Sequence, residues 1–188
     1  MNTISSVVKR SALAASLTFL LVLPAQAYGA HATPNHELRA AYLARFTEFI
    51  DWPPEPEADN PNKTFAICVF GDDPILTPLA RLPQLLRVQG RQLEIRRVDR
   101  IDDVDTCQLL YVPAAGESHL GRIKQQIDKR PVLLVNETPS LPFRGQLITL
   151  FNDGDRLRLE VHLQAAQNAG FKITARLLKL AIIVDDRE

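Results

Sequence analysis

The chain has 188 residues, with 22 basic and 22 acidic side chains, so its formal net charge at pH 7 is zero. That balance argues against a nucleic-acid role, which favours a strongly basic face. The length suits a single domain with a full hydrophobic core, one that does not depend on cross-links to fold.

In chain order, Lys9 and Arg10 precede an apolar run over residues 12–23, and Ala25-Gln26-Ala27 places small residues at the end of it. A charged start, a short apolar middle and an Ala-x-Ala end predict a secretory signal peptide over residues 1–27, cut after Ala27. A retained anchor is the rival reading, but the run is short for a bilayer span. No later stretch is long and apolar enough to span one. Residues 28–188 are therefore expected as one exported domain, with no direct membrane insertion, in an oxidising compartment.

A polar lead over 28–35 is followed by an amphipathic helix over 37–50, with Asn35 as its cap. Leu38, Tyr42, Phe46 and Phe49/Ile50 form its apolar stripe, and Trp52-Pro53-Pro54 stops it. Residues 55–63 are rich in Pro and Asn and read as a surface loop. Residues 65–70, Phe-Ala-Ile-Cys-Val-Phe, are apolar throughout. Such a run predicts a strand buried on both faces, in the middle of a mostly parallel sheet. Gly71 ends it, and Asp73-Pro74 can start a short helix over 75–81.

Residues 92–98 read as a strand, 99–106 as an acidic connection and 107–112 as a second apolar strand. A loop over 114–119 leads to a helix striped by Leu120, Ile123 and Ile127, then to an apolar strand over 132–135. Strand-like runs at 146–151 and 156–161 flank Asn152-Asp153-Gly154-Asp155, a strong hairpin signal. A short helix over 163–169 ends at Gly170, and a final helix runs from Thr174 to about Val184. That helix is apolar on more than one side, so it is either deeply buried or turned to a partner. Alternating strands and helices followed by a hairpin predict an α/β sandwich. Its sheet is mixed, parallel in the centre with an antiparallel edge hairpin, and has helices on both faces.

The chemical inventory is sparse. There is no G-x-G-x-x-G or Walker loop, and neither Ser118 nor Ser140 lies in a G-x-S-x-G elbow. His31, His36, His119 and His162 are dispersed and carry no metal-ligand spacing. No catalytic residue, metal site or cofactor is expected. Asp99, Asp102, Asp103 and Asp105 lack the spacing of a calcium loop and read as a solvated connection. Asp72 and Asp73 lie where open α/β sheets place ligands, although capping alone would explain Asp73. Cys68 and Cys107, the two cysteines, fall on core strands. A disulfide between them suits neighbouring strands, and two buried free thiols are the alternative. Trp52 either closes the bottom of the core or joins an exposed contact patch.

Five stretches together carry a family resemblance. They are Arg39-Ala-Ala-Tyr-Leu-Ala-Arg-Phe-Thr-Glu-Phe-Ile-Asp-Trp-Pro53, Ile67-Cys-Val-Phe-Gly-Asp-Asp-Pro74, Cys107-Gln-Leu-Leu-Tyr-Val112, Arg130-Pro-Val-Leu-Leu-Val135 and Arg158-Leu-Glu-Val-His-Leu-Gln-Ala-Ala-Gln-Asn-Ala-Gly170. In this order they resemble the YfiR/HmsC-like family over nearly the whole exported part. The chain departs from relatives at Val161-His162, at Arg144-Gly-Gln-Leu147 and in having only two cysteines.

The resemblance implies a non-catalytic periplasmic regulator. Such a protein binds the periplasmic domain of an inner-membrane diguanylate cyclase and represses it, lowering cyclic di-GMP and biofilm formation. It also implies a homodimer and a redox-sensitive disulfide. The contact with the cyclase is expected on the hairpin edge and the final helix, with Ile148, Glu160 and Ile183 as its residues. A periplasmic small-ligand binding module with a pocket near Asp72 and Asp73 is the rival reading, and an exported enzyme the third.

Overall fold

The computed structural model describes residues 35–54, 64–82, 87–128, 130–139 and 144–184. The signal peptide expected over 1–27, most of the polar lead and the loop expected over 55–63 lie outside them. Helix α1 (His36–Phe49) begins where Asn35 Oδ1 accepts from the Leu38 N–H at 3.3 Å. At Ile50 the backbone turns extended and enters β1 (Ile50–Asp51) ahead of the Trp52-Pro53 stop. Strand β2 (Phe65–Phe70) is buried at every position, as an all-apolar run requires. Gly71 then turns the chain at φ +78°, and Asp73 Oδ1 accepts from the Ile75 N–H at 2.8 Å on the way into α2 (Leu76–Ala80).

Strand β3 (Arg87–Val88) folds back onto β4 (Arg91–Val98) through Gln89 and Gly90, both at positive φ, the geometry of a tight two-residue hairpin. The acidic connection is a 3-10 helix, Ile101–Thr106, and it leads to β5 (Leu109–Val112). The expected loop after it is a second 3-10 helix, Ala114–His119, running into α3 (Leu120–Ile127). Then come β6 (Leu133–Asn136), the hairpin β7 (Ile148–Asp153) and β8 (Arg156–His162), α4 (Leu163–Asn168), β9 (Lys172–Ile173), α5 (Ala175–Leu178) and β10 (Ile182–Val184).

Eight strands form one mixed sheet in the order β10-β8-β7-β6-β5-β2-β4-β3. From β7 to β4 the neighbours are parallel, β7 and β8 are antiparallel, and β10 runs parallel to β8. Alternate residues of the central strands serve two cores. Phe65, Ile67, Val69, Leu109, Tyr111, Leu133 and Val135 meet α1, α2 and Trp52 on one face. Ala66, Cys68, Phe70, Leu110, Val112 and Leu134 meet α3 and the first 3-10 helix on the other. Helices thus cover both faces of a sheet that is parallel at its centre. Trp52 belongs to the core: it is 6% exposed, packs edge-on against Phe65 and Phe171, and donates its ring N–H to Gln108 O at 2.9 Å.

Two local expectations are corrected. The buried face of α1 is Arg39, Ala40, Leu43 and Phe46, one position round from the expected stripe, and Leu38 is exposed. Arg39 can take a buried position on this face because its guanidinium is paired with Glu137. The final helix to Val184 is instead the single turn α5 followed by β10. Ile182, Ile183 and Val184 are consecutive β-branched residues, and β8 offers them a strand to pair with.

Candidate functional site

The residues expected to meet a partner come together at the β8–β10 end of the sheet. Ile148 on β7 pairs with Val161 on β8, Val161 pairs with Ile183 on β10, and Glu160 pairs with Ile182. One row across three strands therefore carries Ile148 and Ile183, and the adjacent row carries Glu160. Their exposures differ sharply. Ile183 is 51% exposed, Glu160 9% and Ile148 not at all. Ile183 can touch a partner directly. Ile148 can act only by supporting β8 from inside the core, because its side chain packs against the α1 face. Beside Ile183, Leu180 and Ile182 are also exposed. Among the described residues, three of the four exposed large apolar side chains thus lie within residues 180–183. Lys179 and Arg176 precede them, and Arg176 lies over the Phe49 ring at 5.9 Å.

The cysteines form a disulfide, Cys68–Cys107, with 5.9 Å between their Cα atoms. Cys68 is mid-strand in β2, as expected. Cys107 closes the first 3-10 helix just before β5 rather than lying within the strand. Both sit in the α3-side core and are at most 2% exposed. The bridge ties β2 to the segment that feeds its neighbour, enclosing a loop with a sequence separation of 39.

A polar cluster occupies the C-terminal ends of β2, β5 and β6, beside the point where the chain first crosses from one side of β2 to the other. Open α/β sheets place ligands there. Arg39 Nη1 pairs with Glu137 Oε1 at 3.2 Å, and the same oxygen accepts a short hydrogen bond from the Tyr111 hydroxyl. Glu137 Oε2 accepts from the Ala114 N–H at 3.1 Å. Burial, reinforced by the Glu137 carboxylate, raises the Tyr111 hydroxyl far above the usual phenol range, so it stays protonated and donates. His36 Nδ1 lies 3.8 Å from Asp73 Oδ1, and Asp72 faces Arg97 at 3.4 Å on the surface. Next to the cluster, Glu117 Oε1 accepts from Asn136 Nδ2 and from the N–H groups of Glu137 and Thr138, at 2.8–3.0 Å. Asn136 Oδ1 in turn accepts from Thr149 Oγ1 at 2.6 Å. These carboxylates are engaged in holding strand ends and loops together. Asp73 holds the turn ahead of α2 through the Ile75 N–H, and the N-cap of the helix itself is Ile75.

Ser118 and His119 also meet, with Oγ 3.2 Å from Nδ1. The same nitrogen lies 3.3 Å from Gly116 O. A carbonyl can only accept, so that contact favours a proton on Nδ1, and a protonated nitrogen cannot take one from serine. Among the described residues no three potential ligands converge as a metal site, and no helix is long and apolar enough to cross a membrane. The Arg39–Glu137 pair escaped the sequence reading because its halves lie far apart along the chain. An arginine within the helix's apolar half-turn was the one available signal.

Comparison with known proteins adds a family. The sequence model described as YfiR/HmsC-like matches residues 36–182. No curated protein matches the chain. Among solved structures, a conserved domain protein from Vibrio cholerae O1 biovar El Tor is similar at a TM-score of 0.50 and 14% identity, over 79% of this chain and 60% of that one. A Streptococcus pneumonia structure described as an ABC domain in complex with L-Trp aligns at a TM-score of 0.41 and 13% identity, over 64% of this chain and 55% of that one. The chain thus spans about three fifths or less of those structures, and the first likeness speaks for the fold alone.

Proposed function

Because the chain belongs to the YfiR/HmsC-like family, a family of periplasmic regulators, we propose that it binds and represses the periplasmic sensor domain of an inner-membrane diguanylate cyclase. Repression lowers cyclic di-GMP and biofilm formation. On this proposal the signal peptide is removed after Ala27 and residues 28–188 act in the periplasm without catalysis. The observation that supports a contact role is the cluster of Leu180, Ile182 and Ile183 at one end of the sheet, exposed where a self-contained protein would place charge. Physically, the regulator holds one conformation of the sensor domain more tightly than the other and shifts that equilibrium. Ile183 is the direct contact, Glu160 flanks it, and Ile148 keeps β8 in place beneath.

Deleting the gene in a strain with an intact cyclase should raise cyclic di-GMP, and re-expression should bring it down. Unchanged levels would contradict the proposal. A ligand site at Asp72 and Asp73 has less support, because Asp73 is bonded to the Ile75 N–H and Asp72 faces Arg97.

A further inference from the structure

We propose that a groove at the N-terminal ends of β6 and β7 binds a small amphipathic carboxylate of the medium-chain fatty-acid class. The groove lies beside the C-terminal ends of α3 and α4 and encloses about 520 Å³, within the range of small-molecule sites. Val132 and Leu147, just ahead of β6 and β7, form its floor together with Ile127 of α3 and Ala165 of α4. Ile127 and Val132 belong to the α3-side core, and Leu147 and Ala165 pack with the α1-side core. The groove therefore follows the line where the two cores meet, and its floor is apolar along its length. The polar cluster around Glu137 lies at the opposite ends of the strands. None of the residues assigned to the cyclase contact lines the groove.

The walls supply one uncompensated positive charge. Lys124 pairs with Asp128 at 3.0 Å, and the two charges cancel. Arg130 also lines the groove, and its guanidinium has no partner among the described residues. The Arg130 N–H donates to Ile127 O at 2.8 Å and the Val132 N–H to Arg130 O at 2.9 Å, so the turn that carries this side chain is fixed. Asn168 accepts from Gln164 through Oδ1 at 3.0 Å, which leaves its Nδ2 to donate at the rim. Gly145 shapes the wall. It sits at φ +96°, and a Cβ there would come within 2.6 Å of Lys124 Cγ. The bare backbone lets the Lys124 stem press against the β6–β7 connection while its ammonium reaches Asp128. A guanidinium matches a carboxylate through two parallel hydrogen bonds. A single excess charge suits a monocarboxylate better than a phosphate dianion. The apolar floor then takes the hydrocarbon body out of water.

The test uses the purified exported protein without any cyclase, so its failure leaves the proposed function untouched. Octanoate, kept below its micelle concentration, should bind saturably at one site in isothermal titration calorimetry and raise the melting temperature. Acetate carries the head without the body, and octylamine carries the body with the opposite charge. Neither should bind at comparable concentrations. Arg130→Gln should weaken octanoate binding at least tenfold while its melting temperature without ligand stays that of the parent. That pairing of results separates recognition from a stabilising role for the cation at the end of α3. Ala165→Leu fills the floor without touching the charge and should weaken binding as well, with a thermal melt to confirm that it folds. Amide shifts on adding octanoate should cluster at Ile127, Val132 and Ala165. No saturable binding, equal binding of octylamine, or octanoate binding undiminished in Arg130→Gln would overturn the proposal. Attachment to vesicles of anionic phospholipid without binding of free octanoate would also overturn it, because the face would then be a membrane contact.

Discussion

Tyr111 is where burial and charge act most plainly on one side chain. Its hydroxyl is buried and bonded to a carboxylate, and both effects disfavour the phenolate. A group whose folded pKa is raised contributes stability below its unfolded value, about 10 for tyrosine, and loses it as pH climbs past that value. The chain has three tyrosines. In a spectrophotometric titration, the Tyr111 step should appear only together with alkaline unfolding. A reversible step near pH 10 in the folded protein that Tyr111→Phe removes would contradict this placement. Gly170 makes a second residue-scale case. It sits at φ +87°, and a Cβ there would come within 2.9 Å of Pro53 Cβ. Gly170→Ala combines left-handed strain with a clash and should cost about 2 kcal/mol in chemical denaturation.

At the scale of elements, the buried disulfide joins β2 to the entry of β5. Closing a loop of that length contributes about 3–4 kcal/mol in the chain-entropy picture. The Cys68→Ala/Cys107→Ala double variant should lose about that much unfolding free energy, read by urea titration. Because both sulfurs lie inside the α3-side core, reductant should attack the native protein slowly and the urea-unfolded protein quickly. The central strands were legible in the sequence for a simple reason. Runs such as Phe65–Phe70 have no polar position, and only a sheet covered on both faces accommodates that.

The end of the chain was harder to read. Leu177-Leu178-Lys179-Leu180-Ala181-Ile182-Ile183 is apolar at helical and strand spacings alike, so periodicity could not choose. The β-branched run and the presence of β8 decided for a strand, and the second of these is a tertiary fact. Pairings as short as Ile50–Asp51 with Lys172–Ile173 leave no pattern in the sequence at all.

At the largest scale, among the described residues, the polar groups at the strand ends pair mainly with one another, and three of the four exposed large apolar side chains gather at one sheet edge. Site residues were legible only in part. The sequence left Ile183 open between a buried helix and one turned to a partner, and the structure places it on β10, about half exposed. Ile148 lies on a hairpin whose edge offers unpaired backbone groups in the sequence reading, and the core that buries its side chain is visible only in three dimensions.

The most direct measurement is capture of the tagged exported protein from solubilised inner membranes, with mass spectrometry of what is retained. The predicted result is a diguanylate cyclase with a periplasmic domain, recovered with the parent protein and depleted at least tenfold with Ile183→Lys. Recovery of no cyclase, or equal recovery with both proteins, would contradict repression through this edge.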